Sequence, residues 1–355
     1  VLDKRLKEKI IISLLLGLLV VVGIGLYADV PRLLQALGRL DWAYVPLMLA
    51  LTVFNYALRF AKWHYYVRRL ALNLPWRRSA GIFVANLAMA ITPGKVGELL
   101  KPYLIKRYDG TPMSRTIPIV VCERLTDGVA MVLLACLGLT LVRFAWPVLL
   151  VLVAAAAVVV AIIQRRALAL RLLDVSARVP LASRLAPVLK DFYESAYALL
   201  GWRSLLLAVA LGVVSWSGEG VAFFVGLRAL GITPGLALLL KAIAILSVAT
   251  LIGSASALPG GLGSADAVLL GLLLAFVTPS RSVAAAATLL IRFATLWFGV
   301  TLGVATLLLG RRTLFLHRVR QPMISLQPAP FSRAGVELSG RERGDNTKDE
   351  GACSL

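Results

Sequence analysis

The sequence predicts an all-α polytopic membrane protein, an inverted repeat built around two re-entrant, broken helix hairpins. Three observations predict it. Hydrophobic residues make up 59% of the 355 residues and charged ones only 16%, with a mean hydropathy of +0.84. An ordinary soluble domain carries about a quarter charged residues and at most about half apolar ones. The apolar residues also fall in runs long enough to cross a bilayer core of about 30 Å, which takes roughly 20 residues of helix. Finally, a Pro-Gly break followed by a span with an embedded arginine occurs twice.

The elements follow in chain order. Ile10–Tyr27 comes after Lys4, Arg5, Lys7 and Lys9. It is longer than the apolar core of a signal peptide, and no small-x-small cleavage site follows in Tyr27-Ala28-Asp29, so it reads as a retained spanning helix. Residues 28–41 read as a loop, and Trp42–Trp63 as the return span. Gly81–Ile91 is too short to cross; it meets Thr92-Pro93-Gly94 and continues as a second short helix through Leu104. Thr116–Val142 and Phe144–Ile163 are long enough to span. Segment 164–203 carries Leu168, Leu172, Val175 and Val179 at helical spacing with arginines between, the pattern of an amphipathic helix on the cytoplasmic membrane surface. Ser204–Leu227 spans. Leu236–Gly253 is broken at Leu258-Pro259-Gly260-Gly261 and resumes over Ser264–Phe276, and Val283–Leu309 is the last span. Trp42, Trp63, Trp146 and Trp202 lie near span ends, where interfacial anchors sit. Residues 311–355 read as a tail that is basic at first and then disordered.

Proline lacks the amide hydrogen and glycine lacks a Cβ, so both positions break a helix. Broken backbone at membrane depth is tolerated only where protein or a wet cavity covers it. The two breaks resemble each other: Pro93-Gly94-Lys95-Val96-Gly97 parallels Pro259-Gly260-Gly261-Leu262-Gly263, and Arg124 and Arg292 follow 31 and 33 residues after the prolines. Repeat one then runs over about 42–142 and repeat two over about 204–309, with 164–203 as connector.

Charge placement gives the orientation. The net charge of +20 comes from 38 Lys and Arg against 18 Asp and Glu. The cations flank the spans: Lys62, Arg68, Arg69, Arg77 and Arg78 after the second run, a cluster over 164–203, and Arg311, Arg312, Arg318 and Arg320 after the last. Basic residues beside spans mark the cytoplasmic side. The N- and C-termini are therefore expected in the cytoplasm and the protein in a bacterial cytoplasmic (inner) membrane. The first hairpin then enters from the cytoplasm, its return bearing Lys101, Lys106, Arg107 and Arg115, and the second enters from outside, which inverts the repeats. No nucleic-acid recognition motif accompanies the charge. Cys122, Cys136 and Cys353 show no CxxC spacing, and His64 and His317 lie far apart, so no metal or cofactor is expected. P-loop, GxSxG and HExxH signatures do not occur, and the longest internal polar segment is too short for a catalytic domain, so no enzyme is expected.

Candidate site residues are the ionisable groups inside apolar spans, each of which costs roughly 2.5–3.5 kcal/mol at a helix centre unless partnered or wet. They are Arg59, Glu123, Arg124, Asp127, Glu219, Lys241 and Arg292, with Glu98 and Asp266 on the first turns after the breaks. Arg124 and Arg292, one per repeat, suit an anionic headgroup because guanidinium donates hydrogen bonds in a planar fork and keeps its charge when buried. Lys241 joins them as a further cation. Glu123, Asp127, Glu219 and Asp266 balance charge or couple protons. A purely structural ion-pair set stitching helices is the alternative for Glu123, Arg124 and Asp127, and snorkelling to the interface is the alternative for Arg59. Helices that begin at depth after Pro93-Gly94 and Pro259-Gly260-Gly261 would aim free amides into the site, with Gly97 and Gly263 allowing close packing. Glu98 and Asp266 would cap those amides, take protons or meet a cationic headgroup.

Residues Asn86-Leu87-Ala88 through Thr92-Pro93-Gly94-Lys95-Val96-Gly97-Glu98-Leu99-Leu100-Lys101, Cys122-Glu123-Arg124-Leu125-Thr126-Asp127, Leu258-Pro259-Gly260-Gly261-Leu262-Gly263 with Asp266, and Arg292 resemble the lysylphosphatidylglycerol synthase transmembrane-region, or flippase-like, family. That family includes the membrane domain of the bacterial multiple peptide resistance factor. The resemblance covers roughly residues 8–310. It implies a domain that moves lipids between leaflets, with anionic or aminoacylated phospholipid, polyprenyl-linked lipid or hopanoid as partners and a homo-oligomer as an option. About 45 residues follow Gly310, so the appended synthase domain of multidomain relatives is not expected. Where relatives typically carry Glu after the second turn, this chain has Asp266, which keeps the charge and shortens the reach. The leading expectation is a lipid flippase or transporter. The alternatives are an intramembrane lipid-linked glycosyl or aminoacyl transferase, or a scaffold partner of a lipid-modifying enzyme.

Overall fold

A chain surrounded by lipid must satisfy its own backbone hydrogen bonds, and the helix does so within each segment. The computed structural model describes residues 4–137 and 186–310, with isolated positions 150, 151, 154 and 158. Among the described residues every regular element is helical. The expected span Phe144–Ile163, most of the 164–203 connector and the 311–355 tail lie outside the described residues.

Helix α1 (Lys4–Ala28) is followed by α2 (Val30–Gly38), bent by 95° from it. The segment read as a loop thus holds a helix: Pro31 sits in its first turn, where the missing amide costs nothing, and Leu33 packs in a cluster with Ile24, Ala28, Ala285 and Ala286. Helix α3 (Val45–Arg69) extends six residues beyond the expected end at Trp63. Trp63 is consequently no interfacial anchor. It is fully buried and donates its indole N–H to Ser79 Oγ at 3.1 Å, whereas Trp42 and Trp202 are each 68% exposed.

The first hairpin runs through α4 (Trp76–Leu87), short 3-10 turns over Ala88–Ile91 and Pro93–Leu99, and α5 (Leu100–Asp109). It leads into α6 (Met113–Leu137). After α7 (Ala186–Leu199) and α8 (Trp202–Ala229), the second hairpin comprises α9 (Leu236–Ala255), a turn over Pro259–Gly261, and α10 (Ser264–Phe276). The hairpins differ in length. At about 1.5 Å per residue, the 12 residues of α4 fall short of a bilayer core, whereas the 20 residues of α9 match it. Their tips differ too: Gly260, Gly261 and Gly263 all have φ between +59° and +83°, which only glycine adopts freely, while the first tip continues as 3-10 helix.

The last span divides into α11 (Arg281–Arg292), a π-helical turn (Phe293–Trp297) and α12 (Phe298–Leu309). The π turn begins immediately after Arg292, and its Thr295 carbonyl accepts a hydrogen bond from Tyr56 on α3. Five helical stretches among the described residues are long and apolar enough to cross a membrane. The protein is an all-α polytopic membrane protein.

Packing between the halves is reciprocal. Helices α3 and α8 pack on each other, with Asn55 Nδ2 donating to the Ser215 carbonyl at 3.0 Å and Ser215 Oγ to the Asn55 carbonyl at 3.3 Å. Helix α6 packs on hairpin arm α9, and α12 packs on hairpin arm α4. The latter approach is so close that a Cβ on Gly303 would collide with the backbone of Ala88. The two tips touch: Gly260 lies against Leu296 and the Ala90 carbonyl.

Candidate functional site

Each half supplies an arginine that turns back to its own hairpin. Arg124 on α6 places Nε 3.1 Å from Glu98 Oε2 and a terminal nitrogen 3.8 Å from Asp127 Oδ2. The Nε–H is not aligned for a hydrogen bond. Arg292 is held more completely: Nε donates to Asp266 Oδ1, and the two terminal nitrogens donate to the carbonyls of Gly260 at 3.3 Å and Gly261 at 3.0 Å. Asp266 Oδ2 in turn accepts from the Gly263 amide at 2.8 Å.

Some of the amides expected to be free at the breaks are bonded within the chain. Buried backbone groups need partners, and local chemistry supplies several of them. Gly261 N–H bonds to the Leu258 carbonyl, Leu262 N–H to that of Pro259, Gly263 N–H to Asp266, and Gly97 N–H to Thr92 Oγ1 at 2.9 Å. At the second tip two carbonyls meet Arg292, so that arginine fastens the tip as well as facing the cavity.

Four of the nine candidate residues, Glu123, Asp127, Lys241 and Asp266, do not line the cavity between the halves. Glu123 accepts from Lys101 Nζ at 2.8 Å, both side chains being 4% exposed. Lys101 also stands 4.5 Å from the Trp63 ring centroid and 5.1 Å from that of Phe83. Asp127 pairs with Lys62, the two side chains 3% and 1% exposed. Lys62 and Lys101 therefore do not belong with the basic flanks in which the sequence reading placed them; they are buried cations joining α3 and α5 to α6. Lys241 likewise does not line the cavity. Its Nζ donates to the Phe276 carbonyl at 2.9 Å, a cation at the C-terminus of α10 where the helix dipole favours it.

Between the halves lies a cavity of about 180 Å³. Its polar wall gathers Arg59, Glu98, Arg124, Glu219 and Arg292 from the expected set, with Gly260 and Gly261 of the second tip. Asp127 and Asp266 act on it through the arginines they hold, and Pro259 and Gly263 shape the tip behind it. Arg59 does not snorkel away: it lines the cavity with its guanidinium 5.3 Å from the Trp216 ring centroid, a cation–π distance. Glu219 lines the opposite helix, α8, and makes no hydrogen bond or ion pair among the described residues.

Sequence reading missed Tyr56, Asn86 and Trp216, which complete the polar wall. Among the described residues, the Nε1 of Trp216 and Oδ1 of Asn86 are buried without a hydrogen-bond partner. A signal existed for two of the three. Tyr56 and Arg59 on α3, and Trp216 and Glu219 on α8, stand at the same i, i+3 spacing on two helices that face each other.

A family model described as "Lysylphosphatidylglycerol synthase TM region" matches residues 14–303. Two similar proteins are each called "UPF0104 membrane protein", both from Methanothermobacter thermautotrophicus. One is 24% identical over 311 residues, covering 81% of this chain and 90% of the relative. The other is 24% identical over 327 residues, covering 85% and 96%.

Proposed function

The chain belongs to the lysylphosphatidylglycerol synthase TM region family, and from that premise we propose that it moves a phospholipid, or another lipid with a phosphate-bearing headgroup, between leaflets without a catalysed bond change. One observation carries the reading. Arg59, Arg124 and Arg292 converge from both halves on a single cavity at the point where two broken hairpins touch. Broken helices at the interface of two repeats are where transporters of several folds bind their substrates. The cavity, about 180 Å³, is smaller than the roughly 300–1,000 Å³ of sites that enclose whole drug-sized ligands. It suits a headgroup whose acyl chains stay in the surrounding lipid.

In this mechanism the phosphate displaces Glu98 from Arg124 and takes the guanidinium of Arg59, while Arg292 keeps the second tip closed around its own carbonyls. Exchange of the Arg124 partner loosens the first hairpin and lets the headgroup change sides. The test is transbilayer movement of acyl-chain-labelled phospholipids with intact headgroups in liposomes holding purified full-length protein. Arg124→Ala and Arg59→Ala should each slow movement at least about tenfold, the worth of a charge-assisted hydrogen bond or two. Unchanged rates in both folded variants would remove the site assignment, and no movement by wild type across anionic and zwitterionic lipids would remove the transport reading.

A further inference from the structure

Among the side chains that are described, the charged groups at the meeting of the two halves balance. Arg59, Lys62, Lys101, Arg124 and Arg292 stand against Glu98, Glu123, Asp127, Glu219 and Asp266. Four cations take four carboxylates as ion pairs: Lys62 with Asp127, Lys101 with Glu123, Arg124 with Glu98, and Arg292 with Asp266. One cation and one carboxylate remain. Arg59 and Glu219 line the same cavity from facing helices and stand apart, neither making an ion pair among the described residues. Glu219 is 7% exposed. Arg59 is partly exposed, and a buried carboxylate whose counter-ion stands apart is costly unless something bridges the two.

The neutral groups around the gap are unsatisfied in the same sense. Trp216, whose ring lies under Arg59, has a buried N–H donor without an acceptor among the described residues. Asn86 has a buried Oδ1 acceptor without a donor among the described residues. A guest that completes this cavity brings an anion for Arg59 and the Trp216 N–H, and a cation with N–H donors for Glu219 and Asn86.

From this we infer that the cavity is a site for a zwitterionic aminophospholipid headgroup, a phosphodiester carrying one primary ammonium, with Glu219 as the residue that selects the ammonium. The inference rests on the transport reading for its setting and refines its substrate. A purely anionic headgroup such as phosphoglycerol brings a charge that Arg59 welcomes and Glu219 repels. A phosphocholine headgroup restores neutrality but offers no N–H to Glu219 or Asn86. Phosphoethanolamine satisfies all four groups.

The experiment has two readouts on full-length protein. In liposomes, movement of acyl-chain-labelled phosphatidylethanolamine, phosphatidylglycerol and phosphatidylcholine is compared for wild type and Glu219→Gln. In detergent, thermal stabilisation by the soluble headgroups glycerophosphoethanolamine, glycerophosphoglycerol and glycerophosphocholine is measured on the same two proteins. Wild type should favour the ethanolamine member about tenfold in both, and Glu219→Gln should erase that preference while phosphoglycerol gains. Equal or reversed preference in wild type overturns the inference without any variant having to fold. Transport without ethanolamine preference leaves the transport reading standing and sinks this one. Selective stabilisation by glycerophosphoethanolamine with no lipid moved does the opposite.

Discussion

Replacing Lys62 by methionine tests whether the buried ion pairs hold the site in shape. Methionine keeps most of the side-chain volume, so the loss is the charge. Asp127 is 3% exposed at its side chain and Lys62 is 1%, so water cannot take over the carboxylate. Removing one member of a buried pair typically costs 3–5 kcal/mol, because the other charge stays behind unpaired. Here Arg124, with a terminal nitrogen 3.8 Å from Asp127, offers partial compensation beyond hydrogen-bond reach, so the lower end, about 3 kcal/mol, is expected. Removing both charges in Lys62→Met/Asp127→Leu should return all but about 1 kcal/mol of that loss, since an apolar pair of similar volume is often neutral. Reversible denaturant unfolding in mixed micelles, arranged as a double-mutant cycle, gives the coupling directly. A cost below about 1 kcal/mol for Lys62→Met, with simple additivity in the double variant, would refute the reasoning. A functional consequence accompanies it: an Asp127 freed from Lys62 closes on Arg124 and competes with a phosphate, so Lys62→Met should also slow lipid movement.

Three further outcomes are expected. Lys241→Ala should leave lipid movement within about twofold of wild type and cost no more than about 1 kcal/mol, the worth of a cation at a helix C-terminus; a large transport defect would return Lys241 to the site. Arg292→Lys keeps the charge opposite Asp266 but loses the fork that holds the Gly260 and Gly261 carbonyls. Amides of residues 260–263 should then exchange with solvent deuterium faster, while those of α3 and α8 do not change. Gly303→Ala must push α12 away from Ala88, an overpacking cost of about 1–3 kcal/mol. Unfolding at wild-type stability would contradict the close approach of these helices.

Much of the helical order was legible in the sequence because each signal was local. Apolar length marked the spans, and Pro-Gly pairs marked both breaks to within a residue or two. The ionisable residues were legible as a set, since each is anomalous in its own span. Their partners were not. Lys62 lies one residue before Trp63, which read as a span end, so its charge looked interfacial until α3 proved to run on to Arg69. Thr52, Asn55, Arg59, Lys62 and Tyr66 in fact recur at three- and four-residue spacing, a polar stripe along one face of α3 that marks a buried surface. Lys101 was misplaced for the same reason. Likewise, the repeat announced two equivalent arginines but not their different settings, because the positive-φ glycine tip that consumes the donors of Arg292 has no conformational counterpart over Pro93–Leu99.

That asymmetry bears on how a charged cavity survives in hydrocarbon. An isolated ion at the bilayer centre is expensive, so charges at this depth persist only as a balanced group. Four of the five pairs are closed by the chain itself, and each closure serves a joint: α3 to α6, α5 to α6, and each arginine to its own hairpin. The joints are not equally firm. Arg292 makes three hydrogen bonds to the second tip, whereas the first tip is tied to Arg124 through Glu98 without an aligned hydrogen bond. In the proposed mechanism, a phosphate entering beside Arg59 therefore competes most easily for Arg124, and the hairpin it would release is the first. The remaining pair, Arg59 and Glu219, sits on the helices that pair across the two halves, so a guest that bridges it touches both halves at once.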